Sequence, residues 1–224
     1  MNTRIAPMLA GLGLAVPAMG NLIVNGDFQM GSLGPSTSSY SFQNTVGSAA
    51  LPVDSIYDEG TFSIVTHDTI HGNWVDYYDH THGDANGRYM IINGADNGDG
   101  PAWAQTVAVS PGSSYTLSAW FSSLHPAAIA NLEWRLVGDD SLILSPGFLA
   151  PTAVGTWDLR TFEFNSGANS SLTIELWDTS GIASGNDYAV DDIELSMNIP
   201  APGAVALLAV GAAAVGRRNS RAAQ

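Results

Sequence analysis

Through the long middle of the chain, apolar and polar residues alternate with a period of two, and clusters of turn-forming residues interrupt the pattern at intervals of about ten residues. Successive side chains of a strand point to opposite sides, so this alternation predicts strands with one buried face. The clearest are Tyr89 to Asn93, Trp103 to Val109, Ser114 to Ser122, Asn131 to Val137, Trp157 to Phe164, Ser171 to Trp177 and Tyr188 to Leu195. Ser110-Pro111-Gly112, Gly138-Asp139-Asp140 and Asn165-Ser166-Gly167 separate them as turns. Helical stripes are nearly absent, and no internal repeat is visible. About eight or nine strands in such a length predict an all-β fold, a two-sheet sandwich.

The parity of three strands divides core from surface. Tyr115, Leu117, Ala119 and Phe121 share one face, as do Leu132, Trp134 and Leu136, and Leu172, Ile174 and Leu176. These are the expected core. The opposite faces carry Thr116, Ser118, Trp120 and Ser122; Glu133 and Arg135; and Thr173, Glu175 and Trp177. Two indoles, two carboxylates and a guanidinium on exposed faces suit a carbohydrate. Indoles stack on the apolar faces of sugar rings, and the charged groups hydrogen-bond hydroxyls.

Both ends break the pattern. Residues 1–20 place Arg4 before the apolar run Ile5 to Val16 and finish in small residues, the layout of a secretory signal; cleavage after Ala18 or Gly20 leaves a chain opening near Asn21. Residues 199–224 carry an uncharged stretch from Ile199 to Gly216, followed by Arg217, Arg218 and Arg221. As a helix that stretch spans roughly 27 Å, close to a bilayer core, and the Arg cluster places the C-terminus on the cytoplasmic side. The domain expected between the two ends is 21–198.

Charge and cysteine content narrow the partners. All 21 acidic residues but only three of the seven Arg fall between Asn21 and Asn198, a formal charge of −18 there. That field repels phosphate backbones and anionic lipid, so nucleic acid is excluded as a partner. With no Cys there is no disulfide, thiolate metal site or thiol catalysis.

Four segments carry a resemblance. Asn21 to Gln29 (NLIVNGDFQ) resembles the opening N-L-(V/I)-x-N-G-x-F-E strand of galactose-binding-like jelly rolls, the fold of carbohydrate-binding modules of families four and nine. Gln105 to Trp120 resembles their central strand pair, and Tyr188 to Leu195 (YAVDDIEL) their closing strand. The C-terminal Pro200-Ala201-Pro202-Gly203, apolar helix and Arg217-Arg218 resemble the PEP-CTERM sorting signal, with Ala201 in place of the usual Glu. The resemblance implies a jelly-roll domain flanked by a signal helix and a transmembrane sorting helix. It further implies an exosortase-type processing enzyme as partner, a membrane anchor before processing, and an exported protein of the envelope surface or extracellular matrix. It also implies a ligand groove on an exposed sheet. The expected glycan residues are therefore Trp120, Glu133, Arg135, Glu175 and Trp177, with Trp74, Tyr77 and Tyr78 as a rim.

Related modules hold a structural Ca²⁺ between their first and last strands, which implies Asp27, Gln29, Asp191 and Asp192 as its ligands here, with Gln29 in place of the usual Glu. The alternative for those acids is a solvated pair at strand ends. Four of the five His fall between His67 and His82, a stretch that reads either as a long loop or as a transition-metal site. Catalysis has little support. Glu133 and Glu175 are a nominal glycosidase pair, but no G-x-S-x-G, H-E-x-x-H or phosphate loop occurs. The sequence reading is a non-enzymatic carbohydrate-binding surface protein, with a structural or adhesive matrix protein as its rival.

Overall fold

The alternating segments fold into two sheets that pack face to face. The computed structural model describes residues 20–43, 56–67, 71–96, 100–125, 127–139 and 141–198. Eleven strands occur there: β1 (Ser41–Phe42), β2 (Thr61–Val65), β3 (Tyr89–Asn93), β4 (Trp103–Ala108), β5 (Ser114–Ser123), β6 (Asn131–Gly138), β7 (Ser141–Leu144), β8 (Gly147–Leu149), β9 (Asp158–Asn165), β10 (Ser171–Asp178) and β11 (Tyr188–Met197). One sheet runs β1-β2-β3-β11-β5-β9, the other β4-β10-β6-β7 with β8 also paired to β6. Every pairing is antiparallel except β1 with β2. No helix occurs among the described residues, and the two layers form a jelly-roll-like sandwich. The expected signal segment and the sorting residues Pro200, Pro202, Gly203, Arg217 and Arg218 lie outside the described residues.

The core is the one that strand parity predicts. Tyr115, Leu117, Ala119 and Phe121 of β5 meet Leu132, Trp134 and Leu136 of β6 and Leu172, Ile174 and Leu176 of β10, all buried. At its centre the Trp103 and Trp134 rings meet edge to face at 6.3 Å, and Phe121 and Phe148 close around them. The turns also follow the sequence. Gly112 and Gly167 adopt positive φ, and their two turns are tied together by Gly112 N–H to the Gly167 carbonyl at 2.6 Å and Ser166 Oγ to the Ser110 carbonyl at 2.7 Å.

Two expectations are corrected. Residues 21–29 form turns, not an opening strand. Asn25 and Phe28 take left-handed backbone angles, and the Asn25 side chain bonds the Ser32 carbonyl and the Met30 N–H, offering the backbone a local alternative to a ladder. The segment still docks on β11, through Leu22 N–H to Leu195 O and Ile193 N–H to Gly26 O, both 2.9 Å. Gln105 to Trp120 likewise form no hydrogen-bonded pair: β4 belongs to one sheet and β5 to the other.

A second, smaller apolar cluster lies outside the sandwich. Ile56, Val65, Trp74, Tyr89, Ile91, Leu124 and Ala189 pack on the outer face of the six-stranded sheet, where residues 71–88 fold over it. One sheet is thus covered by the chain itself. The outer residues of β10 and β6 remain partly exposed.

Candidate functional site

The structure divides the expected glycan residues between the two outer faces. Trp120 lies on β5 in the six-stranded sheet, whereas Glu133, Arg135, Glu175 and Trp177 lie on adjacent β6 and β10 in the five-stranded sheet. They cannot share one groove. Trp120 pairs with Asp191 across the ladder and is half-buried, with the His80 ring of the loop stacked on it at 3.8 Å. Its neighbour Ser122, expected on the surface, is fully buried.

The rim residues belong to the same covering. Trp74 is 8% exposed, stacks on His71 at 4.5 Å and donates its indole N–H to Asp187 Oδ2 at 3.0 Å, so it anchors the loop. Tyr77 packs against Tyr89 and Trp157, and the Tyr78 carbonyl accepts the Trp157 indole N–H at 3.0 Å. Of the three only Tyr78 is well exposed, at 48%. Trp157, predicted only as the first residue of a strand, thereby fastens the loop to the sheet.

On the five-stranded sheet, the register places Trp177 opposite Glu133 and Glu175 opposite Arg135, so the four outward side chains form a compact square. The Arg135 guanidinium lies 3.9 Å from the centroid of the Trp177 ring and donates from Nε to Glu133 Oε1 at 2.5 Å. Trp177 donates its indole N–H to Glu175 Oε2 at 2.7 Å, and the Ser145 hydroxyl bonds Glu133. Partial burial pushes the Glu133 carboxyl up, but the Ser145 and Arg135 hydrogen bonds outweigh it and hold the group below the ordinary carboxylate range. One row along, Thr106 of β4 and Thr173 of β10 share a hydroxyl hydrogen bond of 2.9 Å. Sequence parity did not single out Thr106, because the adjacency of β4 and β10 is not visible along the chain. The face therefore offers an indole, a fixed guanidinium, two carboxylates and a pair of hydroxyls at the spacing of two strands.

The acidic quartet occupies the end of the other sheet. Asp191 is fully buried; its Oδ2 accepts from the His80 and Thr81 N–H groups at 2.9 and 3.2 Å, and its Oδ1 from the Asp192 N–H at 2.8 Å. Burial and the adjacent Asp192 carboxylate push its carboxyl up to about 8, against the pull of those donors. Asp192 occupies a bulge at φ 48°, with His80 Nδ1 and the Thr81 hydroxyl each 2.7 Å from its carboxylate. Gln29 donates from Nε2 to the carbonyls of Asp27 and Arg88. Between the N-terminal turn and this bulge opens a cleft of about 490 Å³, walled by Asp27, Trp120, Asp192 and Glu194.

The histidines scatter. His71 stacks between Tyr57 and Trp74, His80 serves Asp192 and Trp120, and His82 lies 3.3 Å from Asp79, whose buried carboxylate caps the loop. Among the described residues no group of three His, Asp or Glu is placed to hold a metal ion.

No protein-family model matches the chain, and no curated protein does. Solved structures do. A family 61 carbohydrate-binding module in complex with β-1,4-galactotriose matches with a TM-score of 0.52 at 13% identity, covering 80% of this chain and 100% of that one. The N-terminal tandem of two family 22 modules from Xyn10C of Paenibacillus barcinonensis matches with a TM-score of 0.52 at 11% identity, over 84% of this chain and 48% of the tandem. A cyclase from Fischerella sp. TAU matches with a TM-score of 0.54 at 13% identity, over 81% of this chain and 98% of that one. The chain also spans 21% of a bacteriophage CBA120 tailspike enzymatic domain, with a TM-score of 0.47 at 14% identity. At these identities the likeness shows the fold: a sandwich shared by carbohydrate-binding modules and by at least one enzyme.

Proposed function

We propose that this chain is a non-enzymatic carbohydrate-binding protein that lays a glycan across the outer face of its five-stranded sheet. One observation carries the reading: Trp177 stands partly exposed on a sheet face with its ring plane and indole N–H held by Arg135 and Glu175. A fixed indole receives the C–H face of a sugar ring, while Glu133, Glu175, Arg135 and the Thr106 and Thr173 hydroxyls accept or donate hydrogen bonds around it. The body's charge of −18 disfavours anionic polysaccharides, so the ligand class is neutral glycan. The family 61 module bound to β-1,4-galactotriose makes uncharged β-linked oligosaccharides the first probes.

Hydrolysis has no support at this face. Glu133, held ionised by Arg135 and Ser145, does not serve as a general acid, and the sequence carries no catalytic motif. Export through the leader, and sorting to the envelope or matrix through a PEP-CTERM-like tail cut by an exosortase, complete the proposal and rest on sequence. The rival reading, an adhesive or spacer domain, draws on the same guanidinium, because Arg135 already lies on the Trp177 ring. A glycan array probed with the full chain separates them. The proposal expects retention of neutral β-linked glycans and its loss in Trp177→Ala; retention of none supports the spacer.

A further inference from the structure

We propose that the Gln29 carboxamide does in this chain the work of the structural Ca²⁺ that the resembled modules hold, so that this domain keeps its N-terminal turn in place without a metal ion. Two backbone carbonyls remote in sequence, Asp27 and Arg88, converge on the single nitrogen Nε2 of Gln29, at 2.9 and 3.1 Å. Converging carbonyl dipoles concentrate negative potential, and a partly buried pair of them is stabilised by a cation or by donors. A carboxamide supplies two N–H bonds diverging from one atom, one for each carbonyl. The carbonyls also belong to the two pieces that must be joined: Asp27 to the N-terminal turn, and Arg88 to the residue that enters β3.

Two carboxylates of the expected calcium set, Asp191 and Asp192, are engaged as well. Both oxygens of Asp191 accept backbone N–H groups, and both oxygens of Asp192 face His80 Nδ1 or the Thr81 hydroxyl. Calcium takes about six to eight oxygen ligands, and position 29 turns N–H donors toward the site where an oxygen is required. The set therefore does not fit the ion. The residue that decides it is the one at which this chain departs from the family pattern. A Glu at position 29 would turn a carboxylate toward two carbonyls, an arrangement that holds together only around a cation. The Gln turns donors toward them.

Thermal unfolding of the full chain tests this in Ca²⁺, in Mg²⁺ at equal ionic strength and in excess chelator. The wild type is expected to show one midpoint in all three apart from non-specific screening common to both ions. Gln29→Leu, which has neither donors nor charge, should fall by roughly 5–10 °C in every condition, the scale of two lost hydrogen bonds and exposed-in-vain carbonyls in a domain of this size. Gln29→Glu should fall similarly in chelator and recover with Ca²⁺ in preference to Mg²⁺. A wild-type midpoint raised by Ca²⁺ beyond Mg²⁺, and no longer raised in Asp192→Ala, would overturn the proposal. So would a Gln29→Glu chain that is as stable as wild type in chelator, or one that Ca²⁺ does not restore.

Discussion

The domain should lose stability as pH rises from 4 to 6, and Asp178 allows the size of that loss to be worked out. Its carboxyl is 2% exposed at the end of β10 and is pushed from its ordinary 3.8 to about 6, first by burial and further by Asp187, against hydrogen bonds from Ser180 and Asn186. The folded state holds this proton more tightly than the unfolded chain does. The unfolded chain therefore binds fewer protons between about pH 4 and pH 6, and unfolding becomes easier as pH rises through that window. Two pKa units correspond to about 3 kcal/mol. Asp187 shifts in the same direction, and Asp191, up at about 8, extends the decline toward pH 8. Asp178→Asn removes one titration and keeps the shape. Its new amide has an acceptor at hand, since Asn186 Oδ1 is buried without a hydrogen-bond partner and turns toward position 178 when that amide flips. Urea unfolding of both full-length proteins from pH 4 to 8 at constant ionic strength isolates the effect, because the self-repulsion of the acidic body is common to both. The difference in unfolding free energy should move by about 3 kcal/mol in favour of Asp178→Asn between pH 4 and pH 7. Parallel curves, or a wild type whose stability rises across that interval, would refute the reasoning.

Trp134→Ala, at the point where both sheets and three other aromatic rings meet, should cost roughly 3–5 kcal/mol in denaturant unfolding. A loss under about 1 kcal/mol would mean the sandwich interface is not the core. Gly26→Ala places a Cβ 2.0 Å from the Ile193 carbonyl oxygen, so the N-terminal turn must lift off β11. Faster amide exchange at Ile193 and Leu195 is expected, and unchanged protection there would show that the docking contributes nothing. Arg135→Ala should leave folding intact, since the pair it forms with Glu133 is partly exposed, and should change glycan affinity while raising the Glu133 carboxyl toward its ordinary range.

Much of this was legible along the chain, for a physical reason: each half-buried strand writes its own period of two. All seven strands read from alternation are present, with bounds shifted by two residues or fewer. The remaining strands are too short to write that period clearly: alternation in β2 runs for only four residues, Thr61 to Ile64, and β1, β7 and β8 are edge segments of four residues or fewer. Parity sorted inward from outward residues correctly for β6 and β10, which is why Glu133, Arg135, Glu175 and Trp177 were found together. It does not say which strands are neighbours. Trp120 has the right parity on the wrong sheet, and the loop folded over that sheet is held by single long-range bonds such as Trp74 to Asp187, which leave no trace in local pattern. The N-terminal turn was hidden in a strand-like sequence because Asn25 side-chain bonds, not propensity, decide its shape.

The central claim is that glycan binds over Trp177 and not over Trp120. Isothermal titration of the best neutral β-linked glycan into wild type, Trp177→Ala and Trp120→Ala measures this directly. The account predicts that Trp177→Ala loses about 1–3 kcal/mol of affinity, roughly five- to 150-fold, while Trp120→Ala binds like wild type. Equal binding by Trp177→Ala and wild type, or a loss confined to Trp120→Ala, would contradict it and move the site to the covered sheet.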